Sequence, residues 1–257
     1  GGFDHNIQTL RIVNILENRY YNFNGLNLTY ETLDGLVKHN GPVNDLSKFD
    51  KILGKNFFKN KIKFLNNTSL EAQIASISDD IAYNSHDLED GLKSNLFQLN
   101  DLKNIPVLDK IIFKHKKKHK KYSIDLIIRQ IIRNIINIMV SDVITTTKNN
   151  LKKNNIKNLK DVYKFDEKLV CFSNSMNIFD LKIKDFLKKK MYFHKNVHIK
   201  TNYGRKIIKN LFLLIKKNPK KYINIIKYKN SSIERVICDY IAGMTDRYAI
   251  NLYKKTK

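Results

Sequence analysis

Two carboxylates and a phenol in the first half of the chain have the spacing that places side chains on one side of a helix. Asp79, Tyr83 and Asp87 fall at positions i, i+4 and i+8. Each step of four residues advances only about 40° beyond a full turn of an α-helix, so the three side chains line one slowly rotating stripe. They would therefore project into the same space, next to an apolar face. A solvated helix face that carries two acids explains the same spacing equally well.

The helix that carries this stripe is predicted to begin at Thr68. The pattern Thr68-x-x-Glu71 is a capping box, in which the two side chains satisfy free backbone N–H groups at the start of a helix. The predicted buried side of the helix consists of Leu70, Ile74, Ile77 and Ile81. Asp90 and Gly91 are expected to turn the chain after it.

Four blocks of sequence add a more specific signal. They are GFDHNIQTLRIV at residues 2–13, LVKHNG at 36–41, DDIAYNSHDLEDG at 79–91 and DYIAGMTDRYA at 239–249. In this order they resemble the blocks of the dGTPase-like HD-domain proteins, the deoxynucleoside triphosphate triphosphohydrolases. One block would be weak evidence, but four in the family's order, spanning nearly the whole chain, make the resemblance specific.

The resemblance implies a metal-dependent hydrolase. A deoxynucleoside triphosphate would be hydrolysed at its α-phosphorus to the deoxynucleoside and inorganic triphosphate, with a divalent ion such as Mg²⁺ or Mn²⁺ as cofactor. Asp79 would be a metal ligand, and His5 would be the general acid or a phosphate contact. Tyr83 would pack against the deoxyribose, and Asp87 would lie near its 3′-hydroxyl. Tyr192 would approach the sugar and the base.

The family's remaining metal ligands belong to a segment that precedes these blocks. That segment carries the first histidine of the metal site, the His-Asp pair, and then a further histidine and a glutamate near the phosphates, none of which is found here. We therefore expect an N-terminally incomplete domain, in which Asp79 alone represents the metal site. One carboxylate cannot hold a divalent ion that needs several ligands. The alternative is a catalytically incomplete helical module that binds nucleotide or nucleic acid, or serves as a subunit of an oligomer.

The elements that must position these residues are all predicted to be helices. Helix caps and apolar patterns with a period of 3.6 residues recur from end to end. The predicted fold is therefore all-α, an irregular multi-helix bundle of the HD-domain superfamily, with residues 1–257 as a single domain. The longest apolar-rich helix is capped by Ser123 and runs to about Thr147, as a central packing helix. A capping box at Ser231 and Glu234 opens another helix.

Lys38 and His39 stand in the last turn of a predicted helix that is capped by Thr29. Cations are favoured at this end of a helix because they interact with its dipole, and that explanation suffices for both residues. Their position in the second family block keeps a role in substrate binding open.

The charge of the chain is strongly positive. Its 257 residues include 48 Lys and Arg against 24 Asp and Glu, a net charge of +24. Such an excess suggests nucleic acid or another polyanion, so single-stranded nucleic acid is a second candidate partner beside the deoxynucleoside triphosphate. An abundance of Lys, Asn and Ile at tolerant surface positions is the competing explanation. For the basic run at 114–121 we favour a solvated loop over a phosphate contact.

The two cysteines and the hydropathy of the chain bear on its cellular compartment and on membrane association. Cys171 and Cys238 form no disulfide framework or metal motif, so we expect buried thiols and a cytoplasmic protein. The most apolar stretch, residues 124–144, contains four charged side chains, so no membrane span or membrane partner is expected. The resemblance implies a homo-oligomer.

Overall fold

The computed structural model is all-α, as predicted, in the residues that it describes, which are 3–39, 41, 43, 49–50, 54, 67–117, 121–224 and 232–255. The α-helices in this part of the chain are α1 His5–Arg11, α2 Tyr30–Lys38, α3 Leu70–Lys93, α4 Leu108–Lys116, α5 Ile124–Lys153, α6 Leu159–Lys164, α7 Asn174–Leu187, α8 Lys195–Lys217, α9 Ile233–Ala242 and α10 Asp246–Lys255. Short π-helical turns lie at Ile12–Leu16 and Lys188–Tyr192. Within the described ranges there is no β-strand, and no helix has the length and apolar character needed to cross a membrane.

The chain divides into two compact units, Gly1–Leu187 and Lys188–Lys257. In the first unit α3 packs against α2, α5 and α7, while α4 packs against α5 and α1 against α2. In the second unit α8 packs against both α9 and α10. The assignment of residues 1–257 to a single domain remains a prediction.

The long helix α5 is the packing element that its apolar pattern predicts. Ser123 caps it, its side chain accepting a hydrogen bond from the backbone N–H of Leu126 at 3.3 Å. The buried side chains are Ile127, Ile128, Ile131, Ile132, Ile135, Met139 and Val143. Ile144, which continues the apolar pattern of the helix, is half exposed, and the helix extends beyond Thr147 to Lys153.

Two predicted helix starts are displaced by one residue. Ser69, not Thr68, caps α3, and its hydroxyl accepts from the backbone N–H of Ala72 at 3.3 Å. Likewise Ser232 caps α9, whereas the predicted cap, Ser231, lies outside the described residues. Thr68 is instead buried, and its hydroxyl has no hydrogen-bond partner in the described part of the chain.

Helix α3 also departs from prediction along its buried side and at its end. Its buried residues are Gln73, Ile81, Asn84, Ser85, Leu88, Gly91 and Leu92, whereas Ile74 is 48% exposed. Of the four residues predicted to form the buried side, only Ile81 is buried. Gly91 does not turn the chain but lies inside the helix, where a Cβ would stand 2.2 Å from the ring of Phe97. The glycine is required by this close approach and not by a turn.

The basic run at 114–121 is not simply a loop. Lys114 and Lys116 belong to the last turn of α4, and residues 118–120 lie outside the described part of the chain. The Lys116 amine donates a hydrogen bond to the side-chain oxygen of Asn100. The amine of Lys117 lies 4.8 Å from the ring centre of Phe113.

The second unit has its own hydrophobic core on one side of α8. One cluster joins Ile215, Ile223, Val236 and Ile237, and a second joins Ile207, Leu211 and Tyr253. Cys238 is exposed on α9, so the expectation that it is buried was wrong, while Cys171 in the first unit is partly buried.

Candidate functional site

Helix α3 holds three of the predicted site residues on its exposed side. Asp79 is exposed, Tyr83 exposes 62% of its surface, and Asp87 is half buried. The same helix buries Leu88 completely, so packing of its other side fixes the direction in which the stripe points. A phenol with this exposure is available to a ligand, because no apolar neighbour has covered it.

His5 stands on a different helix, in contact with a second histidine. It opens α1, which is capped by Asp4: the Asp4 carboxylate accepts from the backbone N–H of Ile7 at 3.1 Å. The ring centres of His5 and His39 are 5.7 Å apart in an edge-to-face arrangement. His39 bonds through Nδ1 to the carbonyl oxygen of Leu36 at 2.8 Å. Since a carbonyl only accepts, His39 carries its proton on Nδ1, and its orientation is fixed.

The structure therefore brings together some of the predicted residues but not all. Asp79, Tyr83 and Asp87 share one helix, and α2, which carries His39 just beyond its end, packs against that helix. Tyr192 belongs to the second unit, where it is exposed at the end of a π-helical turn. The positions of these residues do not test their proposed roles, which remain predictions.

A cavity of about 270 Å³ lies on the adjoining face of α3, within the first unit. Its wall includes Lys38, His39, Thr68, Gln73, Asp80, Lys168, Asp180 and Lys184. The three stripe residues do not line it, although Asp80 follows Asp79 directly. His39 is thus shared between the cavity wall and the contact with His5.

A polar network closes one side of this cavity by joining α3 to α7. The buried Asn84 donates to the Asp180 carboxylate at 2.5 Å. Lys184 reaches Asp180 at 2.9 Å and Asp80 at 3.0 Å. Although partial burial disfavours the charge of Lys184, its hydrogen bonds to Asp180 and Asp80 hold its pKa above the ordinary value. The network therefore keeps an ammonium group at the cavity wall and ties the two helices together.

A second charged pair, at the end of α2, contributes Lys38 to the wall of the cavity. The Lys38 amine is 2.7 Å from the Asp34 carboxylate, and the Lys38 side chain is only 2% exposed. Burial raises the pKa of Asp34, and the hydrogen bond from Lys38 opposes that rise. Lys38 also lies 5.9 Å from the ring centre of Tyr163.

Sequence reasoning missed most of this cavity. For Lys38 a signal existed, because Asp34 and Lys38 are four residues apart and such pairs meet on a helix. No spacing rule could have found the bond between Asn84 and Asp180, which are 96 residues apart. Packing of α3 against α7 alone creates that contact.

The described residues do not by themselves fit a divalent metal ion. Among them no group of three or more His, Cys, Asp or Glu side chains is arranged to hold one. Asp79 offers one carboxylate on an exposed helix face, whereas Mg²⁺ and Mn²⁺ require several oxygen or imidazole ligands.

Comparisons with known proteins give a consistent result. Residues 170–255 match the family model described as a phosphohydrolase-associated domain. The chain is 54% identical over 254 residues to the "Deoxyguanosinetriphosphate triphosphohydrolase-like protein" of Pelagibacter ubique, covering 99% of this chain and 68% of that relative. Proteins with the same name from Caulobacter vibrioides and Rickettsia typhi are each 38% identical, with 66% and 67% of their lengths covered. The chain thus spans about two thirds of the length of these relatives.

The matched ranges include residues of the cavity wall and of the polar network. The domain match begins at Val170, in the wall of the cavity, and includes Asp180 and Lys184 of the polar network. The relatives align with 99% of the chain, so their likeness extends over α1, α3 and both compact units.

Proposed function

The chain belongs to the family of deoxyguanosinetriphosphate triphosphohydrolase-like proteins, and from this premise we propose that it takes part in hydrolysing a deoxynucleoside triphosphate to the deoxynucleoside and inorganic triphosphate. Water would attack the α-phosphorus, and the bond from that phosphorus to the 5′-oxygen would break. The observation that carries the proposal is the exposed stripe of Asp79, Tyr83 and Asp87 on α3.

His5 is proposed as the residue that delivers a proton to the departing 5′-oxygen or contacts the phosphates. An imidazole can hold a proton near neutral pH and release it to a developing alkoxide. His5 is exposed at the start of α1, and its ring contacts His39, whose own orientation is fixed by Leu36. That contact limits the directions in which the His5 ring can turn.

The other proposed roles follow the chemistry of each side chain. Asp87 would accept a hydrogen bond from the 3′-hydroxyl, while the ring of Tyr83 would cover the C2′ side of the deoxyribose. Tyr192 would contribute to the sugar and base from the second unit. Asp79 would supply one ligand to a divalent ion, Mg²⁺ or Mn²⁺, and that ion would need further ligands from beyond the described residues. Assembly into a homo-oligomer belongs to the same proposal.

The test is release of triphosphate from a panel of deoxynucleoside triphosphates with Mg²⁺ or Mn²⁺. The 257-residue chain is assayed beside a version extended to the length of its relatives. Triphosphate and deoxynucleoside in equal amounts are the expected products, since attack at the α-phosphorus leaves the three phosphates joined. Asp79→Asn should lower turnover at least about 100-fold, beyond the usual loss for outer-shell partners of a metal ligand.

Glu71→Gln is the matched control, because Glu71 is exposed on α3 two turns before Asp79. It removes one negative charge from the same helix and should leave turnover unchanged. Release of orthophosphate or pyrophosphate in place of triphosphate would contradict attack at the α-phosphorus. Turnover in neither version would exclude the proposed reaction.

A further inference from the structure

The proposed proton donor, His5, has no polar partner that fixes its ring. It stands at the first position of α1, where it is exposed, and no hydrogen bond or ion pair to the ring is found among the described residues. General acid catalysis needs a fixed ring, because the nitrogen that carries the proton must lie within hydrogen-bond reach of the oxygen that it protonates. Something other than a polar contact must therefore hold His5.

The ring of His39, just beyond the end of α2, lies beside that of His5. The two ring centres are 5.7 Å apart, and the ring planes are inclined at 65°. In this edge-to-face arrangement the positive edge of one aromatic ring meets the negative face of the other. The attraction favours particular orientations of the two rings, so an immobile His39 restricts the rotation of His5.

His39 is the immobile member of this pair. Its ring donates a hydrogen bond from Nδ1 to the carbonyl oxygen of Leu36, in the last turn of α2, at 2.8 Å. The residue is half buried, and its backbone keeps the helical conformation, with φ −58° and ψ −23°. The His39 ring therefore cannot rotate without breaking its own hydrogen bond to the helix.

The backbone beneath His5 is fixed to the same end of α2. Asn6, the next residue, donates a hydrogen bond from its side chain to the carbonyl oxygen of Val37 at 3.2 Å. Leu10 of α1 and Val37 of α2 are both completely buried in one hydrophobic cluster. The backbone and the ring of His5 thus both take their position from the last turn of α2 and the residue after it.

We propose that His39 is a positioning residue, which fixes the orientation of the His5 ring and so presents its nitrogen in one direction. The inference rests on the role proposed for His5 in the release of triphosphate. His39 acts through His5 and is not itself the proton donor, because the proton on its Nδ1 is bound to the Leu36 carbonyl oxygen. This gives His39 a function that requires no contact with the substrate.

The orientation of His5 is tested without substrate or metal, by NMR of the whole 257-residue chain with isotope-labelled histidine. The ring-proton signal of His5 is assigned by its absence in His5→Gln. Beside a fixed aromatic ring, this signal should be displaced from the position of a free histidine by the ring current of His39. His39→Ala should return the signal to that position. His198→Ala, which removes a histidine from the stacked pair with Phe193, should leave it unchanged.

Turnover tests whether this orientation matters for the reaction. The variants are assayed in whichever version of the protein releases triphosphate. His39→Ala should lower kcat about 2- to 13-fold, the change that the stabilisation of one aromatic pair produces in a conformational equilibrium. KM should stay nearly constant, because the proton is needed only as the 5′-oxygen departs. His198→Ala should leave both constants unchanged.

Two further substitutions of His39 separate its ring from its hydrogen bond. His39→Phe keeps a ring beside His5 but can neither donate to Leu36 nor carry a proton. His39→Asn keeps an N–H donor for the Leu36 carbonyl oxygen and loses the ring. The phenylalanine variant should retain most of the turnover and the displaced His5 signal, whereas the asparagine variant should behave like His39→Ala.

A double substitution distinguishes positioning from a general loss of structure. If His39 acts through His5, His39→Ala should lower turnover no further in a protein that already carries His5→Gln. An equal loss in both backgrounds would overturn the proposal. So would a His5 signal that His39→Ala leaves in place, or turnover retained by the asparagine variant and lost by the phenylalanine variant. Absence of turnover in the parent protein would refute the hydrolase proposal instead, and the NMR signal would still decide whether His39 orients His5.

Discussion

The proposed role of Tyr83 predicts that the protein discriminates between deoxyribonucleotides and ribonucleotides. Its ring is 62% exposed in the middle of α3, between two carboxylates of the same stripe. If the ring covers C2′ of the sugar, a 2′-hydroxyl would collide with it. Tyr83→Ala should therefore lower the ratio of kcat/KM for dGTP over that for GTP by about tenfold or more, the scale of discrimination that one steric contact in a pocket gives.

Tyr83→Phe is the control for this prediction, because it keeps the ring and removes only the hydroxyl. Both variants are assayed in whichever version of the protein releases triphosphate. An unchanged ratio in an alanine variant that still turns over dGTP would remove Tyr83 from this role.

Lys38 and Asp34 form a buried pair whose members depend on each other. Lys38→Met would leave the Asp34 carboxylate buried without its cation, which typically costs about 3–5 kcal/mol of the free energy of unfolding. Lys38→Met combined with Asp34→Asn removes both charges and should restore most of that loss. Urea denaturation of the two variants measures the difference.

The pH dependence of this loss has a definite sign. Burial already raises the pKa of Asp34 above 3.8, and removing Lys38 raises it further. A raised native pKa means that the folded state binds more protons, so stability falls as pH rises through the native pKa. The penalty of Lys38→Met should therefore be larger at pH 8 than near pH 4. Equal penalties at the two pH values would show that the lost stability does not come from the buried charge of Asp34.

At the scale of the helix, Gly91 shows how one element accommodates another. A Cβ at this position would stand 2.2 Å from the Phe97 ring, which is itself buried and packs edge-to-face on Phe186 at 4.9 Å. Gly91→Ala should stabilise the helix by about 1 kcal/mol through its higher helix propensity. The added methyl group would, however, displace the Phe97 ring, and overpacking of a core typically costs about 1–3 kcal/mol. We expect a net loss of stability in urea denaturation.

Gly204 provides the matched control for that substitution. It lies within α8, and a Cβ there would have no atom within 4 Å apart from its chain neighbours and the adjacent backbone of its own helix. Gly204→Ala should therefore stabilise the protein by about 0.5–1 kcal/mol through helix propensity alone. Stabilisation by both substitutions would contradict the packing explanation for Gly91.

Helix starts illustrate what local sequence can and cannot determine. Ser123 and Thr29 are caps as predicted, because each is a single hydroxyl residue before an apolar pattern. The prediction that Thr68 caps α3 was wrong, because the neighbouring Ser69 is equally able to cap and the local sequence does not choose between the two. Packing makes that choice: Thr68 is buried, which leaves Ser69 to receive the backbone N–H.

For the whole molecule, the class of fold and the family could be predicted from sequence, since helical periodicity and the four blocks are local patterns. The walls of the cavity could not, because they depend on which helices meet. Gln73 shows the difficulty: its side chain accepts from the backbone N–H groups of Leu169 and Val170, 96 and 97 residues away. The roles of Asp79, Tyr83, Asp87, His5 and Tyr192 remain predictions, because a position on a helix does not reveal a bound substrate.

The division after Leu187 has a consequence for how the protein is made. Domains generally fold as units, with the N-terminal one first during synthesis. The contacts between α1 and α7 that build the first core all lie within residues 1–187, so they can form before residues 188–257 have emerged from the ribosome. The core of the lysine-rich second unit, which includes Tyr253, therefore closes later than the core of the first unit.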